Sequence, residues 1–456
     1  GVIFISIDNH EVDNMLKICD EIFGTANRIA CIVNVNNPKG RSDEKNIATA
    51  HEYIVVYQKN EAILSGFEPE ENVTRRYNKV DKEGNRYRYI DLRKTGDSDR
   101  REDRPKMFYY FYFNQATGEF YPSYDERTPD GWIKIVPMKD DGSFGRWRVG
   151  IETAESRKEL LEPTYMSVKK RWTVMERDYL SDDLRVKATT AWTFKDLNSE
   201  RGTEQFVDLG FDKNIFPRPK PLGTILRPLL LSTKKGDVVL DFFSGSSTTA
   251  HAVMQLNAED GGNRRFIMVQ IPEPCDEKSE AYKAGYRNIC EIGKERIRRA
   301  GEKIKADSPL TTADLDVGFR VFKLADSNMK DVYYAADELD QQTLADMVSN
   351  IKEDRTALDL FFGCLLDWGL PLSMPYHSEE IDGCTVHTYN DGDLIACFDK
   401  NIPESVVKEI AKRKPLRAVF RDAGFADSPA KINVFEIFKL YMPEDADDIT
   451  KRVKVL

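Results

Sequence analysis

One stretch of the sequence, residues 238–256, constrains the fold more than any other. The apolar run Val238-Val239-Leu240 is typical of a short buried strand, which ends at Asp241, and residues 250–256 continue as a helix. Between strand and helix, residues 242–249 spell Phe-Phe-Ser-Gly-Ser-Ser-Thr-Thr. The glycine permits a tight turn, and the hydroxyl side chains can cap the helix. The pattern predicts a strand-turn-helix unit whose helix N-terminus faces a ligand.

The same stretch indicates which ligands fit. Its turn lacks the Gly-Lys-Ser/Thr ending of a phosphate-binding loop, so a triphosphate is not expected. An acid at the strand end with a single glycine turn suits a cationic or zwitterionic ligand better than a pyrophosphate. The alternative is an ordinary capped turn that binds nothing.

Composition limits the class of protein. The chain has 456 residues, of which 41% are apolar and 32% charged, enough for two or three domains. Its most apolar stretches, such as Val2–Ile7 and residues 225–232, are shorter than the roughly 20 residues that span a bilayer, so no membrane protein is expected. Seven cysteines form no Cys-x-x-Cys pair, which argues against structural zinc and a disulfide framework and suits a reducing cytoplasm. Residue 1 is Gly and opens directly into a strand, so we expect the natural N-terminus to lie upstream.

The charges are distributed unevenly. Residues 1–307 contain 50 acidic and 50 basic side chains, whereas residues 308–456 contain 27 and 17. Within 72–110 there are 12 Lys and Arg against 7 Asp and Glu, with tyrosines between them. Arginine interleaved with tyrosine suits phosphate contact and base stacking, although a solvated loop of alternating charge has the same composition.

Four segments follow from the pattern along the chain. Residues 1–60 alternate strand and helix, which predicts parallel α/β architecture, and residues 211–307 return to that pattern. Between them, 61–210 has charged loops, a β-hairpin at 108–121 and helical stretches around 154–162, as an inserted domain would. The acidic segment 308–456 has candidate helices at 341–352, 355–367 and 404–413 and candidate strands at 385–389, 394–398 and 417–420.

Two neighbouring segments give the strand-turn-helix unit a family resemblance. Phe216-Pro-Arg-Pro-Lys-Pro221 lies one helix upstream, and Phe266-Ile-Met-Val-Gln270 is the next strand with a polar end. Together the three pieces resemble the S-adenosylmethionine-binding half of amino-methylating DNA methyltransferases. The resemblance implies a Rossmann-like, doubly wound α/β domain and cofactor contacts by Phe216, Lys220, Pro221, Asp241, Phe242, Phe243, Gly245, Ser246, Thr248, Thr249 and Gln270. The family usually has a second glycine where Ser247 stands, and many members have Glu where Gln270 stands, facing the ribose.

The order of the parts resembles the beta arrangement of these enzymes, with a recognition insert ahead of the cofactor half. Stretches along the whole chain, among them 1–8, 19–24, 51–57, 145–148, 394–400 and 418–422, resemble the modification subunit of type III restriction-modification systems. The resemblance implies methyl transfer to the exocyclic amine of adenine by base flipping, with double-stranded DNA, a second copy and an ATP-dependent restriction subunit as partners in a bacterial cytoplasm. By the same resemblance, residues 1–60 and 211–307 are the two parts of one α/β methyltransferase domain, which the target-recognition domain, residues 61–210, interrupts. Residues 308–456 are an acidic α+β domain that contacts the second copy or the restriction subunit.

One expected motif is missing. Family members orient the flipped base with an Asp-Pro-Pro-Tyr loop, but none of the 20 prolines here adjoins another. We therefore assign no catalytic residue and no metal, and expect the loop upstream, so that the intact protein is an enzyme and this chain alone is inactive. Asp8, His51, Glu52 and His251 are interpreted as structural groups, Asp8 as a helix cap.

Candidate DNA contacts come from the two basic stretches, by resemblance and charge: Arg75, Arg76, Arg86, Arg88, Arg93, Arg100, Arg101, Lys169, Lys170 and Arg171. The aromatic run 108–113 is expected to pack in a core more readily than to stack on bases. Two other functions stay open. One is a non-catalytic DNA-binding specificity protein with a degenerate methyltransferase fold, and the other is a methyltransferase that acts on RNA or a small molecule.

Overall fold

The computed structural model describes residues 1–40, 46–330, 351–425 and 428–456. These form two compact units, Gly1–Gly318 with several sheets and Phe319–Leu456 with one, both of mixed α/β structure. Of the candidate helix at 341–352, residues 341–350 lie outside the described residues. In the part of the chain that is described, no helix combines the length and apolarity needed to cross a bilayer.

The first unit contains thirteen strands and eight α-helices among its described residues. The strands are β1 Val2–Ile7, β2 Arg28–Asn34, β3 Glu52–Gln58, β4 Lys79–Val80, β5 Arg86–Asp91, β6 Tyr110–Phe113, β7 Phe120–Ser123, β8 Ile133–Ile135, β9 Leu161–Met166, β10 Arg171–Tyr179, β11 Ala191–Trp192, β12 Val238–Asp241 and β13 Arg265–Met268. The helices are α1 Val12–Phe23, α2 Glu71–Thr74, α3 Ile151–Ser156, α4 Ser199–Val207, α5 Leu222–Ser232, α6 Thr248–Asp260, α7 Glu280–Lys283 and α8 Ile289–Asp307.

The second unit is one five-stranded sheet with helices. Its elements are α9 Ala357–Asp367, β14 Tyr376–Ile381, β15 Cys384–Tyr389, β16 Leu394–Cys397, α10 Glu404–Lys412, β17 Ala418–Phe420, α11 Ser428–Tyr441, α12 Ile449–Arg452 and β18 Val453–Val455. The strands lie side by side in chain order, antiparallel from β14 to β16 and parallel from β16 to β18. The helices and strands predicted within 355–420 are confirmed, with ends that shift by one or two residues.

The parallel architecture predicted for residues 1–60 is wrong. The sheet order is β1-β3-β2-β11, and β3 pairs antiparallel with both β1 and β2. A helix connects β1 to β2, so these two run in the same direction, but no helix among the described residues lies between β2 and β3. Without a helical crossover the chain returns antiparallel, and β3 inserts between its two predecessors. Alternation of strand and helix in the sequence could not show which strands become neighbours.

Residues 61–210, predicted as an inserted domain, contain two antiparallel sheets, β4-β5-β10-β9 and β7-β6-β8, and strand β11, which pairs parallel with β2 of the first sheet. The predicted hairpin is confirmed as β6 paired with β7, and its aromatic run packs in a core. Tyr109 and Phe111 are fully buried beside Trp147, whose indole Nε1 donates to the Tyr109 carbonyl at 2.8 Å. The helix expected around 154–162 ends early, because residue 161 already begins strand β9.

The segment 211–307 presents a two-stranded parallel sheet, β12 with β13, which has helices packed on one face. Leu229 of α5 and Ala252, Val253 and Leu256 of α6 form the buried cluster against one face. Alternate residues of the strands stay open: Val238, Leu240, Ile267 and Val269 are 48–57% exposed. The sheet therefore has one packed face and one apolar face that the described residues leave uncovered.

The turn from α6 into β13 depends on one buried amide. Asn257 donates to the Arg264 carbonyl at 2.9 Å and accepts from the Arg264 backbone N–H at 3.0 Å. Asn257 is 6% exposed, so neither backbone group would find water if the amide were removed. A buried polar group without a partner costs about 1–3 kcal/mol.

We expect Asn257→Ala to lower the free energy of unfolding by about 2 kcal/mol, because it leaves both Arg264 backbone groups unpaired. Urea denaturation followed by circular dichroism measures the change. Asn263→Ala, an exposed position six residues away, is the matched control and should shift the midpoint little. Equal midpoints for the two variants would show that Asn257 does not brace the turn.

Candidate functional site

The predicted strand-turn-helix unit is confirmed, and its geometry is specific. Strand β12 ends at Asp241, the Ser244 backbone N–H donates to the Val269 carbonyl at 3.1 Å, and helix α6 begins at Thr248. Gly245 and Ser247 both have positive φ, +51° and +60°. A side chain in this left-handed region costs about 1 kcal/mol, which explains why relatives of the resembled family favour glycine at the position of Ser247. The turn thus ends at the N-terminus of a 13-residue helix, whose first N–H groups have no partner within the helix.

Asp241 holds the two ends of the turn together. Its Oδ1 accepts from the Phe243 backbone N–H at 3.1 Å, and its Oδ2 accepts from the Thr249 hydroxyl at 2.6 Å. The strand end and the first turn of α6 are therefore fixed by one carboxylate, which also places a negative charge beside the turn.

Gln270, expected to face a ribose, contacts the turn itself. Its Oε1 accepts from the Gly245 backbone N–H at 2.7 Å, and its own carbonyl accepts from the Cys290 thiol at 3.5 Å. The side chain thus links the end of β13 to the glycine turn. A role in holding a ribose stays a prediction.

The upstream segment approaches the same place. The Lys220 ammonium donates to Glu52 Oε2 at 2.5 Å and to the Ser6 hydroxyl at 3.3 Å, while the Lys220 carbonyl accepts from Thr248 at 3.5 Å. Pro221 is the N-cap residue of α5, and the Phe216 ring lies 3.8 Å from where a Cβ on Gly245 would stand. Ends of β1 and β3 therefore meet the segment before α5 at the turn.

Phe242 and Phe243 are exposed, whereas the hydroxyl residues of the turn are buried. The two phenylalanines are 48% and 81% exposed, with ring centroids 5.2 Å apart, and Ser246, Thr248 and Thr249 are all under 9% exposed. The two rings therefore present an apolar surface, while the hydroxyls lie beneath the turn.

Four residues of this site were not predicted: Ser6, Glu52, Gly293 and Arg296. A Cβ added to Gly293 of α8 would lie 2.6 Å from the Ser247 hydroxyl, so α8 touches the turn with bare backbone. One helical turn later, Arg296 is fully buried and donates to the hydroxyls of Ser246 and Thr248 at 2.9 and 2.7 Å. The sequence around Arg296 alternates acids and bases as a solvated helix does, so no pattern marked it.

Asp8, His51, Glu52 and His251 were interpreted as structural groups. The prediction that Asp8 caps the next helix is wrong: Glu11 is the N-cap residue of α1, and the Asp8 carboxylate accepts from the backbone N–H groups of His10 and Glu11 in the turn before it. Glu52 forms an ion pair with Lys220. His251 is 6% exposed on α6, and burial together with the charge of Arg296 lowers its pKa to about 3.

One group of possible metal ligands lies among the described residues, in the second unit. Ligand atoms of Cys384, Cys397 and Asp399 lie within 4.8 Å of one another. Both cysteines belong to the core of that unit, burial raises the pKa of Cys397 to about 12, and the Asp399 carboxylate accepts from the Thr385 backbone N–H. A thiol with so high a pKa is a core residue rather than an available thiolate.

Most of the candidate DNA contacts already have partners within the protein. Arg75 pairs with Glu71, Arg88 with Asp178, Arg93 with Asp91, and Lys169 and Arg171 both pair with Asp140. Arg86 donates to the carbonyls of Thr74 and Tyr77, and the Arg101 guanidinium lies 4.1 Å from the Phe108 ring centroid. Three exposed side chains, Arg76, Arg100 and Lys170, form no ion pair with any described residue.

Comparison with known proteins points in the same direction as the geometry. A family model described as DNA methylase matches residues 1–298. The type II methyltransferase M.KpnI of Klebsiella pneumoniae is 38% identical over 300 residues, which cover 65% of this chain and 68% of that protein. The EcoPI Mod subunit of Escherichia phage P1, a type III restriction-modification enzyme, is 31% identical over 396 residues, 86% of this chain and 60% of that subunit. The EcoP15I Mod subunit of Escherichia coli, also of a type III restriction-modification enzyme, is 29% identical over 474 aligned residues, which cover 97% of this chain and 68% of that subunit. The chain thus spans 60–68% of the length of these three relatives.

The buried His251 predicts a pH dependence of stability. In the folded protein its pKa is about 3, against an ordinary value of 6.5, so the unfolded chain binds the proton more readily between these values. The stabilisation is complete above about pH 6.5 and falls as the pH decreases toward 3, by up to about 1.4 kcal/mol per pH unit. We expect the free energy of unfolding of His251→Leu, measured by urea denaturation from pH 7 to pH 4.5, to fall less steeply than that of the wild type. The exposed His10→Leu variant should follow the wild type, and parallel curves for all three would contradict the prediction.

Proposed function

The chain belongs to the DNA methylase family, and from this premise we propose that it supplies the cofactor-binding and DNA-recognition parts of a sequence-specific adenine methyltransferase. In the intact protein, S-adenosylmethionine would donate a methyl group to the exocyclic amine of an adenine in double-stranded DNA. The observation that carries the proposal is the turn at Asp241–Thr248, which lies within the residues that the family model matches.

The residues at the turn suit a cofactor with both cationic and anionic groups. Asp241 supplies negative charge for a sulfonium or an ammonium, and the start of α6 supplies N–H groups for a carboxylate. Phe242 and Phe243 offer exposed rings for an adenine. We propose Phe216, Lys220, Pro221, Asp241, Phe242, Phe243, Gly245, Ser246, Thr248, Thr249 and Gln270 as the cofactor site.

When bound, the cofactor supplies an electrophilic methyl group, and the chain's own residues orient it. Asp241 fixes the turn, Lys220 is held by Glu52 and Ser6, and Gln270 fixes the glycine. Residues 1–60 and 211–307 would therefore work as one methyltransferase domain, since the Lys220 contacts join them. The intervening segment 61–210 would recognise the DNA target.

We propose that the base-orienting Asp-Pro-Pro-Tyr loop lies in a part of the intact protein beyond these 456 residues. The half-exposed apolar face of Val238, Leu240, Ile267 and Val269 supports this, because strands of an α/β sheet are normally covered on both faces. By this proposal a flipped adenine would be held by that loop while the turn holds the cofactor.

The proposal of protein partners rests on the Mod relatives. Their names place them in type III restriction-modification enzymes, so we propose that this protein acts with an ATP-dependent restriction subunit and as a homodimer, in the bacterial cytoplasm. The acidic residues 308–456 are the segment proposed for such contacts, because like charge disfavours DNA there.

Methyl transfer tests the proposal. The longer natural protein, incubated with labelled S-adenosylmethionine and duplex DNA, should incorporate label at adenine N6. We expect Asp241→Ala to reduce incorporation at least tenfold, since both ends of the turn lose their anchor, and the exposed Asp314→Ala to retain it. Label in RNA but not in DNA would favour the RNA methyltransferase, and tight DNA binding without incorporation would favour the non-catalytic specificity protein.

DNA binding gives a separate prediction. The triple variant Arg76→Ala, Arg100→Ala, Lys170→Ala should bind duplex DNA more weakly at every sequence and should have a shallower salt dependence. Removal of one phosphate-binding side chain reduces the slope of log affinity against log salt by about 0.9. Fluorescence anisotropy at several salt concentrations measures the slope. The exposed Lys400→Ala variant is the control, and an unchanged slope in the triple variant would exclude these side chains from the interface.

A further inference from the structure

Arg296 carries a buried positive charge for which the described residues provide no counter-charge. The residue is 0% exposed, and its Nη1 donates to the hydroxyls of Ser246 and Thr248. Its Nε and Nη2 have no hydrogen-bond partner, and no carboxylate of the described residues forms an ion pair with it. An aromatic neighbour, the Phe206 ring, has its centroid 5.7 Å away.

The position of this charge is electrostatically unfavourable on its own. Burial of an unpaired charge is costly, and burial lowers the pKa of Arg296 to about 10, which still leaves it charged at neutral pH. The guanidinium also lies at the N-terminus of α6, which carries the positive end of that helix's dipole. The nearby Asp241 carboxylate is engaged by Phe243 and Thr249 and forms no ion pair with Arg296. Two positive groups at one place without an ion-pair partner indicate that an anion is bound there when the protein works.

The two hydroxyls can transmit this charge to a ligand. A hydroxyl that accepts from the guanidinium keeps its own hydrogen to donate. The Ser246 hydroxyl donates to no acceptor among the described residues, and that of Thr248 reaches only the Lys220 carbonyl, at 3.5 Å. The positive φ of Ser247 places both hydroxyls beside the first N–H groups of α6.

Helix α8 is shaped to bring Arg296 to this point. Gly293, three residues earlier, touches the Ser247 side chain where any Cβ would be too close. The neighbouring arginines of α8 do not share this position, because Arg298 and Arg299 both pair with Glu295 near the surface. His251 of α6 is neutral at pH 7, so it adds no charge beside Arg296.

We propose that Arg296 is a positioning residue that makes this site select ligands with a carboxylate, namely the α-carboxylate of the methionine moiety of the cofactor. The inference rests on the proposed function and extends it to a residue outside the sequence-predicted site. Arg296 acts through Ser246 and Thr248, so removal of its charge weakens only the interaction with the carboxylate.

A comparison of two ligands tests this directly. Isothermal titration calorimetry of the 456-residue chain would measure the affinity for S-adenosylhomocysteine and for its decarboxylated analogue, which lacks only the carboxylate. We expect the wild type to prefer the carboxylated ligand at least tenfold. Arg296→Met should lose most of this preference, while its affinity for the decarboxylated analogue changes less than twofold.

Two further variants keep the test decisive if Arg296→Met does not fold. Arg296→Lys keeps a charge on a shorter side chain, so its preference should be intermediate, and Ser246→Ala should reduce the preference while the buried charge stays in place. Arg298→Met, on the exposed side of the same helix, is the matched control and should bind as the wild type does.

The outcomes separate this inference from the function on which it rests. If Arg296→Met lowers the affinity for both ligands equally, the role of Arg296 is only structural. If the variant keeps the wild-type preference for the carboxylated ligand, Arg296 does not act on the carboxylate site. Either result overturns the inference and leaves the proposed function standing. Failure of the wild type to bind either ligand would overturn both.

Discussion

The contact between helix α8 and the turn at residues 244–248 is the constraint on which the candidate site depends. Gly293 lets the α8 backbone approach Ser247, and Arg296 binds the hydroxyls of Ser246 and Thr248 from behind. From the other side, Asp241 and Gln270 bind Thr249 and Gly245. The turn places Ser247, a residue with a side chain, in the left-handed region, which is strained, so the conformation persists because these contacts fix it. The N-terminus of α6 is thereby presented in one orientation before any ligand arrives.

The same turn gathers segments that are distant in sequence. Lys220 reaches Glu52 and Ser6, so strands from the start of the chain share the site with residues more than 160 positions later. Between them in the chain, residues 92–174 contribute a separate aromatic core, with Trp147 buried against Tyr109 and Phe111. A segment with a core of its own can vary its surface without disturbing the turn. Such a division suits an enzyme whose chemistry stays fixed while its DNA target changes, which is the division of labour proposed here.

The sequence predicted the turn well and its surroundings poorly, for physical reasons. Residues 238–249 carry their own information, because a strand end, a glycine and a row of hydroxyls are local signals. Arg296 and Glu52 gave no local signal, since what distinguishes them is a partner far away in the chain. The prediction of parallel strands in residues 1–60 was wrong for the same reason. Which strands pair, and in which direction, depends on contacts between distant segments and not on the alternation of strands and helices along the chain. Of the basic candidates, Arg88, Lys169 and Arg171 form internal ion pairs, which composition cannot distinguish from side chains that are free for phosphate.

The central claim is that the turn at Asp241–Thr248 is the cofactor site of a DNA methyltransferase. A crystal structure of the 456-residue chain soaked with S-adenosylhomocysteine tests it most directly. We expect density for the ligand at this turn, with its amino-acid end toward Ser246 and Thr248 and its adenine beside Phe242 and Phe243. Density elsewhere in the molecule, or an empty turn at a ligand concentration that saturates binding in solution, would contradict it.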